Sequence, residues 1–237
     1  VEKEELSPTV ENYLKAILEL GEGGESAAVG EVAEHMGVAP ASVTLMFRSL
    51  AEKELVRYAP YQGARLTAAG RHIALRIIRR HRLVERYLVD VLGLSWDEVH
   101  AEAEKWEHVL SARVEERMAQ QLGDPGTDPH GAPIPSLKGA LHADEMERLD
   151  QIQPGEKAYV GEIYDRDPEL LRYLDELGIK PGVEVECRAR EPFGGSLKLM
   201  VQGIEQDVGL GAAKQIKAIS IDASAESEAN TSPSERE

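Results

Sequence analysis

VGEVAEHMGVAPASVTLMFRSLAEKELVRYAPYQGARLT, residues 29–67, decides how the first part of the chain folds. Val29, Val32, Ala33 and Met36 recur at helical spacing, and the run stops at Gly37. Pro40 opens a second helical run whose Val43, Phe47 and Leu50 share one face. RYAPYQGARLT then reads as two short strands about a turn at Gln62-Gly63. On the N-terminal side, PTVENYLKAILELGE places Tyr13, Leu14, Ile17 and Leu18 at helical spacing behind a Ser7-Pro8 start signal. Three helices with a glycine-containing turn between the second and third, then a hairpin, make a winged helix-turn-helix.

In the other direction, Thr67 caps a long fourth helix through IALRIIRRHRLVERYLVDVLG to Gly93. Ser95 caps a fifth, expected to run from Trp96 to about Gln121 with the apolar seam Trp96, Val99, Ala103, Trp106 and Leu110. GDPGTDPHGAPIPS, residues 123–136, cannot continue a helix and is a loop. HADEMERLDQI is a short helix or extended connector. KAYVGEIY, VEVECRAR and SLKLMVQG then alternate like strands, with one helix at PELLRYLDELG, which reads as a small SH3-like β-barrel. The chain is therefore mostly α with a small β domain. The boundaries are a winged helix-turn-helix over 1–76, a helical domain with its connector over 77–152, the SH3-like domain over 153–222, and a polar tail over 223–237 expected to be disordered.

No apolar run is long enough to span a membrane, and no secretory signal stands at the first residues. The single cysteine, Cys187, excludes an internal disulfide framework and a zinc finger, and suits a reducing cytoplasm. A net charge of -16 argues against a generic polyanion binder. Residues 48–86 nevertheless carry ten Arg or Lys against three Glu. Such a stretch either holds nucleic acid locally or coats a helix and pairs with acidic neighbours, and composition leaves both open.

HAEAEKWEH, residues 100–108, raises the question of chemistry. At about 100° per residue, Glu104, Glu107 and His108 lie at roughly 40°, -20° and 80° from His100, within about a quarter turn. His81 and Glu85, four apart, share a face of the preceding helix. Any one such pair is ordinarily a solvated ion pair, and Trp106 ordinarily a core residue. Several carboxylates beside an apolar seam, however, repel one another unless a cation neutralises them. Oxygen and imidazole donors without thiolate suit a first-row divalent ion.

RRHRLVERYLVDVLGLSWDEVHAEAEKWEHVLSARVEERM closely resembles the dimerisation helices of the diphtheria-toxin-repressor family of metal-dependent regulators, which includes the manganese-transport regulators. The resemblance extends over nearly the whole chain except the tail. It implies two metal sites per subunit. His81, Glu85 and His100 match an ancillary site completed from the barrel, for which Asp167 and Glu169 are the candidates here. Glu104, Glu107 and His108 match an activating site whose last ligand comes from the first helix, where Asn12 stands and Glu11 could substitute by a small rotation. Iron-sensing members carry cysteine where this chain has Glu104 and manganese sensors carry glutamate, so Mn(II) is preferred, with Fe(II) as the other candidate.

On the third helix the inward set leaves Ala41, Ser42, Thr44 and Arg48 toward solvent, with Lys53 at its end and Arg65 on the wing. Small hydroxyls can approach phosphates and base edges, and the cations can clamp backbone. A homodimer would engage two half-sites of an inverted-repeat double-stranded DNA operator, with Leu83, Leu88 and Val91 as apolar interface positions. The expected function is a cytoplasmic, homodimeric, manganese- or iron-responsive transcriptional repressor. Two rivals stand beside it: a carboxylate-rich di-metal enzyme, disfavoured because paired Glu-x-x-His motifs are missing, and a regulator whose metal is only structural.

Overall fold

In the computed structural model, which describes residues 6–21, 26–141 and 145–221, the chain divides into two units. Residues 6–21, 26–84, 102–124 and 134–141 form the first, and 85–101, 125–133 and 145–221 the second. The expected tail over 223–237 lies outside the described residues.

The first unit begins with the three expected helices, α1 (Pro8–Leu20), α2 (Val29–Met36) and α3 (Pro40–Glu52). The Ser7 hydroxyl accepts from the Val10 amide at the start of α1, and Gly37 ends α2 in the left-handed region at φ 64°. Val43, Phe47 and Leu50 of α3 are all fully buried, against Leu14 and Ile17 of α1 and Val32 of α2. The wing follows as β1 (Val56–Ala59) and β2 (Gly63–Leu66), antiparallel with Val56 opposite Leu66. Its root is held by reciprocal backbone bonds between Ala27 and Ala64, at 2.9 and 3.0 Å. A side chain at Gly63, where φ is 77°, would meet the Ala27 carbonyl oxygen at 2.3 Å, so only glycine fits there.

Thr67 opens α4 (Ala68–Asp90) as expected, its hydroxyl accepting from the Gly70 amide at 3.1 Å. The expected fifth helix is two helices, α5 (Val99–Trp106) and α6 (Ala112–Gln121). Ser111 restarts the helix by accepting from the Val114 amide, a cap that the apolar seam running on to Leu110 obscures. Trp96, the first residue of that seam, lies before α5 and is buried in the core of the second unit.

Leu83 and Leu88 are buried within the chain itself, Leu83 against Ala119 and Ile134, so neither is available to a second copy. Arg79 and Arg80 answer the question of the basic stretch for two of its members. Both donate to the buried Glu115 carboxylate, through Nε at 3.2 and 3.0 Å, and Arg79 also donates to the Pro135 carbonyl at 2.8 Å.

In the second unit a six-stranded antiparallel sheet has the order β3-β8-β4-β5-β6-β7. Its strands are β3 (Glu147–Arg148), β4 (Lys157–Ile163), β5 (Glu184–Arg190), β6 (Ser196–Val201), β7 (Ile204–Gly209) and β8 (Ile216–Ser220). The single expected helix is α7 (Pro168–Glu176), and a short α8 (Leu210–Ala213) precedes β8. Val160, Ile163, Leu171, Leu174, Val185 and Leu199 are among the core residues, and an irregularity between Val160 and Glu162 turns Ile163 to the same side as Val160. This is the small SH3-like all-β domain read from the sequence.

Glu115→Ala strands two arginines around an emptied buried position. Removing one partner of such a group costs about 3–5 kcal/mol. Urea unfolding should show that loss, and a change below about 1 kcal/mol would mean the triad is as weak as a surface pair.

Candidate metal centres

Within the first unit, α1, α4 and the end of α5 bring four ionisable side chains together. α1 buries Leu14, Ala16 and Ile17, and Lys15 is carried inward with them, only 5% exposed. Its Nζ donates to Glu107 Oε2 at 3.0 Å and Glu104 Oε1 at 3.1 Å, and stands 3.2 Å from His81 Nδ1. His81 Nδ1 is in turn 2.5 Å from Glu107 Oε2, so Glu107, wholly buried, is the hub. The Glu107 amide still bonds to the Ala103 carbonyl at 2.9 Å, which keeps its side chain in helical register although α5 ends one residue earlier. Burial drives the Lys15 amine toward neutrality, but Glu107 and Glu104 outweigh it and hold its pKa above the ordinary lysine value. It is an ammonium.

His108 extends the cluster. Its Nδ1 is 2.6 Å from Glu11 Oε2 and its Nε2 3.3 Å from Glu107 Oε1. Asn12 holds its amide oxygen buried with no hydrogen-bond partner. A buried carbonyl-type oxygen without a donor, beside imidazole and carboxylate donors on the same helix and its neighbours, fits a hard divalent cation. His81, Glu104 and Glu107 each offer an atom within 4.8 Å of the others.

A second set forms within the second unit. Glu85 on α4 is fully buried; His100 lies in the first turn of α5, and Asp165 follows β4. His100 Nδ1 is 3.1 Å from Glu85 Oε1 and 3.3 Å from Asp165 Oδ2. His130, 1% exposed, faces the same two carboxylates through Nδ1, at 3.9 Å from Glu85 and 4.0 Å from Asp165. Its Nε2 is 2.7 Å from the Trp96 carbonyl, to which a ring N–H donates. In the neutral ring the Nδ1 lone pair is then the free one, and that atom has no hydrogen-bond partner. The loop holding His130 is tight. Asp128 Oδ1 accepts from the His130 and Ala132 amides, and a side chain at Gly131, where φ is 90°, would meet the Gly161 carbonyl oxygen at 1.8 Å.

Of the expected residues, Glu11, Glu104, Glu107 and His108 gather in the first unit and Glu85 and His100 in the second. His81 offers ligand atoms both to the set expected with Glu85 and His100 and to Glu104 and Glu107, and its Nδ1 pairs with Glu107. Asp167 and Glu169 are placed elsewhere. The Asp167 carboxylate caps α7, accepting from the Glu169 and Leu170 amides at 3.0 and 3.2 Å, and Glu169 is exposed. Asp165 reaches His100 instead. The clue was in the sequence, because an aspartate immediately before Pro168 is a helix cap. Lys15 and His130 escaped the sequence reading; Lys15 sits in an apolar stripe and His130 in a segment read only as a helix breaker.

Most of the residues expected to meet DNA are exposed. Ala41, Ser42, Arg48, Lys53 and Arg65 are exposed, and Leu45 is 66% exposed. Thr44 is half-buried and spends its hydroxyl on the Pro40 carbonyl at 3.1 Å. Arg65 donates to Ser26 Oγ at 3.2 Å and lies directly opposite Arg57 across the wing. Two like charges in register repel, an arrangement that an anionic partner relieves.

Three family models match the chain end to end: an iron dependent repressor N-terminal DNA binding domain at residues 5–64, an iron dependent repressor metal binding and dimerisation domain at 67–136, and a FeoA domain at 147–219. The iron-dependent repressor IdeR of Mycobacterium tuberculosis is 35% identical over 214 residues, covering 85% of this chain and 92% of that one. The diphtheria toxin repressor of Corynebacterium diphtheriae is 32% identical over 203 residues, covering 79% and 87%. A manganese-dependent transcriptional repressor solved in complex with manganese superposes with a TM-score of 0.84 at 36% identity, covering 90% of this chain and all of that one.

Burial pushes the His100 imidazole down, but its bonds to Asp165 and Glu85 outweigh this and raise its pKa to about 10. At neutral pH an ion reaching this nitrogen must therefore displace a proton. The sign follows: affinity at this set rises with pH below about 10, by about one log unit per pH unit for each proton displaced. Calorimetric titration with Mn(II) in buffers of different ionisation enthalpy should report that release, and a buffer-independent heat would contradict it.

Proposed function

The chain belongs to the iron-dependent repressor family that includes the diphtheria toxin repressor, and from that premise we propose how it senses its metal and finds its operator. It is a metal-dependent transcriptional repressor, regulated by manganese or iron, in a family that is not enzymatic. In our reading Mn(II) is the preferred effector, with Fe(II) as the alternative. An all-oxygen and imidazole set, with Glu104 in place of a thiolate, favours the harder ion.

Glu11, Asn12, Glu104, Glu107 and His108 would hold the activating ion. When bound, the ion supplies the positive charge that lets carboxylates from α1 and the end of α5 crowd together in a buried place. Everything else is done by the chain. α1 carries Glu11 and Asn12 toward the cluster and Leu14 and Ile17 into the core that holds Phe47 of α3. Fixing α1 therefore fixes the recognition helix, and an effector that prefers that arrangement shifts its population by the difference in affinity. The observation that carries this reading is the contact of the α1 residue Glu11 with His108 at 2.6 Å.

A second ion would be held by Glu85, His100, Asp165 and His130, in place of the expected barrel residues Asp167 and Glu169. A homodimer would bring two recognition helices to an inverted repeat. With Leu83 and Leu88 internal, the exposed Trp106, Val109 and Val114 are among the apolar positions of the first unit open to a second copy. No helix among the described residues is long and apolar enough to cross a membrane; in our reading the repressor works in the cytoplasm, because it must meet operator DNA.

Fluorescence anisotropy on operator DNA tests the function. Mn(II) should tighten binding at least tenfold over chelator, whereas equal affinities would contradict it. Arg48→Ala should weaken binding across sequences and lower the salt-dependence slope by about 1. His130→Ala should cost about 10–100-fold in affinity at the second site with the first unaffected, as read by competition with a chelating dye. Unchanged affinity at both would remove His130 from the ligands.

A further inference from the structure

A primary amine stands inside the carboxylate cluster of the first unit. Lys15 is 5% exposed, and its ammonium donates to Glu104 Oε1 and Glu107 Oε2, at 3.1 and 3.0 Å, with His81 Nδ1 standing 3.2 Å away. These residues are the same three whose ligand atoms lie within 4.8 Å of one another and could hold a metal. An ammonium and a dication cannot share that space, because their repulsion is screened weakly in a buried place. The ammonium is also not a loose surface charge that water could accommodate. α1 brings it in between Leu14 and Ala16, so expelling it would require α1 to turn or Lys15 to thread out past packed neighbours.

We propose that Lys15 is the resident cation of the His81, Glu104 and Glu107 triad, so that this triad takes no divalent ion of its own. The exchangeable ion of the first unit then sits beside the triad, sharing Glu104 and Glu107 with Lys15, where His108 Nε2 stands 3.3 Å from Glu107 Oε1, an oxygen that Lys15 Nζ also meets at 3.3 Å, and Glu11 and Asn12 stand on α1. Glu107 is the shared wall between a permanent cation and a removable one. The permanent one already ties α1 to α4 and to the end of α5, so the unit is part-assembled without metal. The effector supplies only the last tie. This rests on the reading of the cluster as a divalent-metal centre.

Equilibrium dialysis of the full chain against Mn(II), with bound metal counted per subunit, tests it. Lys15→Met and Lys15→Glu should each bind one more manganese than the parent, and Lys15→Arg should keep the parent's count. An unchanged count in both of the first two variants overturns the proposal, even if affinity rises, because the ion would then already occupy the triad by displacing the lysine. Thermal unfolding guards against a variant that merely fails to fold. Lys15→Met should melt lower than the parent in chelator and recover more than the parent does on adding Mn(II). Equal melting in chelator also overturns the proposal. A parent chain that binds no manganese would instead refute the metal-sensing function, a result read without any variant.

Discussion

Everything in the first unit turns on where the charge of Glu107 goes. The carboxylate is fully buried, and an unpaired ion there would cost more than any single contact in the domain returns. Lys15 of α1 and His81 of α4 hydrogen-bond to it, and His108, two backbone steps beyond α5, stands 3.3 Å from its Oε1. Those three partners come from elements far apart in sequence, so the fold of the sensing region and the neutralisation of this one group are the same problem. The recognition helix inherits the solution, since α1 is packed on α3 through Leu14, Ile17 and Phe47.

The second unit solves a similar problem by different means. Glu85 and Asp165 are drawn together around His100, and the His130 loop is pressed in by the close approach of Gly131 to Gly161. The Trp96 carbonyl sets which nitrogen of His130 is left facing the carboxylates. A ring nitrogen held dry, unbonded and about 4 Å from two carboxylates is poorly used by the protein alone. In the function proposed above, a shared cation accounts for it.

Much of this was legible in the residues. The inward set Val43, Phe47 and Leu50, the Ser7 and Thr67 caps and the alternation of the barrel strands are local signals, and local signals survive folding. The ligand stripe was legible for the same reason, because residues three and four apart share a helix face whatever packs against it. What failed was nonlocal. A buried leucine reads the same whether its neighbour is its own chain or a partner, so Leu83 and Leu88 were placed at an interface instead of in the core. Whether Arg79 and Arg80 hold nucleic acid or pair with acidic neighbours stays open in the sequence until Glu115 is brought to them. Lys15 and His130 acquire their roles only from residues about 65 or more and about 30 or more positions away, respectively, which no window along the chain contains. The break at Ser111 was within reach, but the apolar step to Leu110 masked it.

The central claim is that a divalent ion completes a cluster in which one cation is already built in. Anomalous diffraction at the manganese edge, on crystals of the full chain grown with Mn(II), tests it most directly. The account predicts a peak bonded to Glu107 and His108 with the Lys15 ammonium still seated among His81, Glu104 and Glu107. A peak at the centre of that triad with Lys15 swung out, or no peak beside Glu107 at all, would contradict it.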